Sequence, residues 1–159
     1  MKTWSILLPG LSLAFTVIYP CAVAAEANVT DLLAAPLQLS IGERTLVLET
    51  YLWRDFMPIS PPDGKPLIAS LKLKTTNKTA LPEGTEVETV WVVNGKKQWS
   101  PAKKEVRAGN DRSSMMTIVV RNGPKWGPGI KVDVVVRVKD TKGHSYLLRA
   151  AKQNINRTD

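Results

Sequence analysis

The chain has 159 residues and one cysteine, and its 22 lysines and arginines outnumber its 14 acidic residues, which gives a net charge of +8. This length fits a single domain whose core can be large enough to fold without disulfides. The positive charge favours anionic partners, but no nucleic-acid-binding motif accompanies it.

Residues 1–25 are predicted to form a cleaved secretory signal peptide. Lys2 provides a positive start, an apolar stretch follows from Ile6 to Tyr19, and small residues at 22–25 offer a peptidase site. The stretch is short for a bilayer span of about 20 residues, and an uncleaved anchor is the alternative. Cys21 lacks preceding small residues typical of a lipidated cysteine, so we expect it to leave with the signal.

The mature chain is therefore expected to be exported, to the periplasm or outside the cell, without a transmembrane anchor. Without cysteine it could not build thiolate zinc sites, thiol redox centres or cysteine nucleophiles. No cofactor and no metal are expected. The sole histidine, His144, and the few methionines would have to converge to form a copper site.

Residues 26–36 are predicted to be a mobile or weakly helical lead-in, because a brief apolar segment ends at Pro36. Residues 37–151 are predicted to form one domain, in which apolar and polar residues alternate as in half-buried strands. The polar residues 152–159 are predicted to be a frayed tail. The predicted strands are 46–52, 67–73, 87–93, 96–99, 115–121, 130–138 and 145–150.

Turn-forming sequences separate these strands at nearly regular intervals. Asn94-Gly95 is the strongest hairpin signal and is typical of a type I′ turn, in which both central residues have positive φ. A second hairpin is predicted through the sequence Asp140-Thr141-Lys142-Gly143. About seven strands with such turns predict an all-β fold, an antiparallel β-sandwich with an immunoglobulin-like or fibronectin-like plan. A closed β-barrel is the alternative.

The segment from Tyr51 to Pro58 joins aromatic residues to an adjacent pair of opposite charges. In a functional interpretation, Arg54 and Asp55 lie at the mouth of a pocket, and Trp53 or Phe56 supplies a stacking face for a sugar or an aromatic side chain. In the alternative interpretation, Trp53 and Phe56 fill the core, while Arg54 and Asp55 order a loop.

Residues 122–129 contain three glycines and two prolines around Lys125 and Trp126. Such a loop is rigid, so Trp126 could stack on a ligand at little entropic cost while Lys125 meets an anion. Alternatively, Trp126 folds back over the end of the domain. Trp99, placed before Pro101, could add to an aromatic platform with Trp53 and Trp126.

These features predict an exported, non-catalytic binding module that recognises a protein or another envelope component, such as a glycan, through a loop-rich end. The positive charge of the chain favours an anionic partner. The candidate binding residues are Trp126, Lys125, Trp53, Arg54, Asp55 and Trp99. One alternative is a carbohydrate-binding module that uses exposed tryptophans. Another is a small hydrolase that depends on His144, for which no catalytic motif stands out.

Overall fold

A computed structural model describes residues 27–102, 104–108 and 114–159, so the predicted signal peptide lies outside the described residues. The described residues form one short helix, α1 (Val29–Leu33), and nine strands. The strands are β1 (Leu39–Ile41), β2 (Arg44–Asp55), β3 (Leu67–Thr75), β4 (Glu86–Asn94), β5 (Lys97–Trp99), β6 (Lys104–Ala108), β7 (Met115–Gly123), β8 (Lys131–Lys139) and β9 (Ser145–Thr158).

The strands follow one continuous path, β5-β4-β8-β9-β2-β3-β7-β6, with β1 paired to β2 at its side. The all-β prediction is confirmed. The sheet curls into a half-barrel, so the predicted two-layer sandwich is not confirmed, and the alternative closed barrel is not reached because β5 and β6 end the path. The sheet is mixed rather than antiparallel, because β2 and β9 run parallel along Leu52–Asp55.

Strict alternation of apolar and polar residues explains the central strands. Along β3, every second residue from Leu67 to Thr75 is buried, and the intervening residues are partly exposed. Successive side chains of a strand point to opposite faces, so these residues face the concave side of the half-barrel. Leu71 and Leu73 are fully buried there, and each such side chain contributes roughly 1.5–3 kcal/mol by leaving water.

The Asn94-Gly95 sequence does form a hairpin, but the turn differs from the predicted type I′. Asn94 pairs with Lys97, so Gly95 and Lys96 are the two central residues. Gly95 has a φ of 59°, and Lys96 does not share the positive φ. Glycine at the first central position alone is the signature of a type II′ turn, which also matches the twist of the strands.

The predicted frayed tail at 152–159 is wrong, because β9 continues to Thr158. β9 is antiparallel to β8 from Ser145 to Asn154, with an irregularity at Lys152, which has a φ of 54°. From Ile155 to Thr158 it pairs in parallel with β2. Ile155 is the one fully buried apolar residue in this second part. A strand is predicted from several alternating apolar residues, so the sequence of this part gave no strand signal.

The lead-in at 26–36 contains α1, which is packed rather than mobile. Asn28 caps the helix, since its Oδ1 accepts a hydrogen bond of 2.9 Å from the backbone N–H of Thr30. Leu32 is fully buried on the convex face of the sheet, in a small cluster with Trp91 and Val135. The helix thus covers apolar residues of β4 and β8 that point away from the main core.

Candidate binding end of the half-barrel

The strand register brings two loops together at one end of the half-barrel. β2 ends at Asp55 and β3 begins at Leu67, while Leu67 lies opposite Gly123, the last residue of β7. The loops 56–66 and 124–130 therefore leave the sheet side by side. We call these two loops the loop end.

Arg54 joins the two loops from inside. Its side chain is only 3% exposed, because it lies on the concave face at the end of β2. Its Nε donates to the carbonyl of Lys65 at 3.0 Å, and its Nη1 donates to the carbonyls of Lys125 and Gly127 at 3.2 and 2.7 Å. Its Nη2 donates to the carbonyl of Asp63. These bonds use four of the five side-chain N–H groups for loop backbone.

Phe56 fills the space beneath the first loop. Two guanidinium groups lie against its ring, with the Cζ of Arg54 at 5.1 Å and the Cζ of Arg157 at 4.1 Å from the ring centre. A Cβ added to Gly64 would come within 2.5 Å of the ring, and Gly64 has a φ of 74°. Glycine is therefore required here both by its backbone conformation and by the close approach of the ring.

Two ion pairs border the loop end. Lys125 Nζ lies 2.6 Å from Asp63 Oδ2, which links the two loops a second time. Lys65 Nζ lies 2.9 Å from Asp55 Oδ2, and Asp55 also accepts the backbone N–H of Met57. The hydrogen bond from Lys125 lowers the pKa of Asp63, and the backbone N–H of Met57 followed by Lys65 lowers the pKa of Asp55.

The first loop exposes an apolar tip. Ile59 is 89% exposed and Met57 is 49% exposed. The tip is a tight turn, since the N–H of Ser60 donates to the carbonyl of Met57 at 2.7 Å. Ile59 is not among the binding residues predicted from the sequence. The available signal was an isolated large apolar residue among the prolines Pro58 and Pro61, outside every alternating pattern.

The predicted site residues are divided between this end and other surfaces. Arg54, Lys125 and Trp126 belong to the loop end, but Arg54 orders the loops rather than lining a pocket mouth. Trp126 is half-buried against the main core, so it folds back over the end of the domain. Asp55 binds Lys65 and the backbone of its own loop, which is the loop-ordering role.

The three tryptophans do not form one platform. Trp53 alternates with the buried residues Leu52 and Arg54, so it lies on the convex face, beside Tyr51 with ring centres 5.4 Å apart. Trp99 and Trp126 instead pack against the concave core. Trp99 lies over Gly123, where an added Cβ would come within 2.8 Å of the indole.

The opposite end of the half-barrel, which we call the turn end, consists of the turns at 82–85 and 140–143. Asp140 Oδ1 accepts the backbone N–H groups of Lys142 and His144 at 2.9 and 3.0 Å, and its Oδ2 accepts the Tyr146 hydroxyl at 3.2 Å. Burial raises the pKa of Asp140, but these hydrogen bonds together outweigh it and lower the pKa. Burial and then Asp140 raise the pKa of Tyr146.

His144 lies at the turn end with its Nδ1 3.3 Å from Asp140 Oδ2. The adjacent hydroxyl of Ser145 donates to Glu88 Oε2 at 2.9 Å, so it is directed to another acid. In the described ranges, no group of three or more histidine, cysteine or acidic side chains is placed to hold a metal ion. Within those same ranges, no helix has the length and apolar character to cross a membrane.

Comparisons with known proteins found no matching family model, no matching curated protein and no matching solved structure.

Proposed function

We propose that this protein is an exported, non-catalytic binding module that recognises a protein or another envelope component through its loop end. The observation that carries the proposal is the exposed tip of Ile59 on a loop that buried Arg54 holds in place. Export is supported by the sequence of residues 1–25 alone. The positive charge of the chain is consistent with an anionic partner.

A fixed apolar tip suits recognition because its ordering cost has been met during folding. Burying one isoleucine contributes roughly 1.5–3 kcal/mol, and a mobile loop would lose much of this gain when it became ordered. Arg54 reduces that loss by fixing the backbone at 63, 65, 125 and 127. The bordering ion pairs of Lys65 and Lys125 resemble the polar rim that surrounds an apolar contact.

The test is a cross-linking pull-down from envelope extract of the source cell with the mature protein and an Ile59→Ser, Met57→Ser variant. Leu37 is 53% exposed on another part of the surface, so Leu37→Ser is a control for the loss of an exposed apolar side chain away from the tip. We expect a partner that the wild type and the control capture and the tip variant loses at least tenfold, with circular dichroism unchanged. Equal capture by all three proteins would contradict the proposal.

A carbohydrate-binding module is the second candidate, and the pair of Tyr51 and Trp53 favours it. Tyr51 is 52% exposed, and the two rings lie on an open sheet face at 5.4 Å with an angle of 34° between their planes. Aromatic rings on an open face can stack on sugar rings. Titration with envelope glycans should then change tryptophan fluorescence in the wild type and in Trp126→Phe, but not in Trp53→Phe. An unchanged wild-type signal would contradict it.

A further inference from the structure

The open side of the half-barrel lies between β4 and β6, and we call this gap the seam. β5 pairs with β4 only along Val92–Asn94, and β6 pairs with β7 on its other side. Among the described strands, β4 before Val92 therefore has a partner on the β8 side alone. β5 does not continue along this part of β4 because of Pro101. Proline has no N–H to extend a ladder of hydrogen bonds, and β5 ends two residues before it.

Along the seam, two side chains donate to β4 carbonyls that the backbone of a neighbouring strand would otherwise bind. Ser100 Oγ donates to the carbonyl of Val90 at 2.9 Å, and Lys104 Nζ donates to the carbonyl of Glu88. In a complete sheet, backbone N–H groups of a neighbouring strand would donate to carbonyls such as these. One hydroxyl and one ammonium group act here as substitutes for a missing strand.

The seam contains space beside β4. A cavity of about 300 Å³ lies between Val87 and Glu88 of β4 on one side and Lys104 of β6 on the other. A larger cavity of about 1000 Å³ lies outside the seam, between residues 99–102 and the strands β6 and β7. Directly paired strands lie about 4.8 Å apart. Lys104 belongs to β6 and needs the length of its side chain to reach a β4 carbonyl, so the two strands are farther apart than a direct pair.

We propose that the seam accepts one extended peptide segment of a partner protein, which adds as a strand along β4. Its N–H groups would replace Ser100 and Lys104 at the carbonyls of Val90 and Glu88, and a side chain of the segment would enter the cavity of about 300 Å³ between β4 and β6. The seam is bounded by β4 and β6, so it admits a lone segment rather than the edge of another folded sheet. This proposal does not depend on recognition at the loop end.

Amide hydrogen exchange, followed by NMR on the mature protein, tests the proposal. The probe is a nine-residue peptide of alternating valine and threonine with a lysine added at each terminus. We expect the peptide to slow exchange of the Val90 amide at least tenfold, because this amide points to the same side as the Val90 carbonyl. The Trp91 amide points to β8 and should change little. The same peptide with N-methylated central amides, which lacks donors, should protect neither.

Absence of protection at Val90 at millimolar peptide would overturn the proposal, as would equal protection by the N-methylated peptide. Protection confined to residues 56–66 would overturn it too, while leaving the loop end as the binding surface. Conversely, Ile59→Ser should bind the peptide as the wild type does, so the two proposals fail separately.

Removal of the substitutes provides a second measurement. Ser100→Ala and Lys104→Met each free one β4 carbonyl, and since one hydrogen bond is lost from the unbound state, each should raise peptide affinity roughly threefold to tenfold. Lys97→Met, which removes an exposed lysine of β5, is the matched control and should leave the affinity unchanged. Unchanged or weaker affinity in both test variants would overturn the proposal.

Discussion

The two ends of the half-barrel are each organised by one charged side chain that binds backbone groups, but the two side chains act over different ranges. At the turn end, Asp140 accepts N–H groups two and four residues along its own turn. At the loop end, Arg54 donates to carbonyls as far away as residue 127, from two loops. A local turn can form with its own strand pair, whereas the loop end requires the sheet to be assembled first.

The largest expected effect comes from removing the buried guanidinium. Arg54→Met should lower the free energy of unfolding by about 4 kcal/mol, because the four loop carbonyls that it binds lose a charged donor inside the protein. Arg157→Met removes the exposed guanidinium that also lies against Phe56 and should cost much less. Urea denaturation of both variants measures the difference. Similar losses for the two variants would mean that Arg54 does not hold the loop end together.

Two glycine variants, one at each end of the half-barrel, should lower the free energy of unfolding by smaller amounts. Gly64→Ala should cost about 3 kcal/mol, since it combines a positive φ of 74° with a contact at 2.5 Å to Phe56. Gly42→Ala should cost only about 1 kcal/mol, because its φ is 60° but nothing lies within 4 Å of the added Cβ. Thermal or urea unfolding separates crowding from backbone strain. Equal costs would show that Phe56 moves aside freely.

The smallest effect concerns acid stability at the turn end. The pKa of Asp140 is lowered in the folded protein, so its contribution is present above the unfolded pKa of about 3.9 and is lost as pH falls through the lower folded pKa. Asp140→Asn should therefore be less stable than the wild type at pH 7, and this difference should shrink below about pH 4.

Urea midpoints measured from pH 7 to pH 2 provide the check. Asp63→Asn at the loop end is the comparator, because the hydrogen bond from Lys125 lowers the pKa of Asp63 but that contact is an exposed ion pair. Its midpoint should depend on pH more like that of the wild type. If the urea midpoints of Asp140→Asn and the wild type differed by the same amount at every pH, the ionised carboxylate of Asp140 would not be the source of the stabilisation.

How far the sequence could predict each element depended on how local its cause is. The alternation in β3 and the turn signals at Gly95 and 140–143 identified strands and hairpins, since these need only neighbours in sequence. The second half of β9 escaped because its stability comes from pairing with β2, about 100 residues away. β6 escaped because Lys104 to Ala108 is short and charged.

The residues of the candidate site show the same difference between local and long-range causes. The sequence singled out Arg54, Lys125 and Trp126. Lys125 and Trp126 do lie in one loop of the loop end, and Arg54 links that loop to the other one. It could not tell that Arg54 is buried, because the carbonyls that Arg54 binds belong to two loops, one of them more than 70 residues away in sequence. It also missed Ile59, whose exposure depends on how its loop is held.

An all-β domain, most of its strands and the positions of its hairpins could be predicted from the sequence, because alternation and turn chemistry are properties of short segments. The tertiary structure was needed to show that the strands form one open, curled sheet, that a buried arginine joins two loops, and that a seam remains between β4 and β6. Those features depend on which backbone groups find partners across long sequence distances, and no local pattern records that pairing.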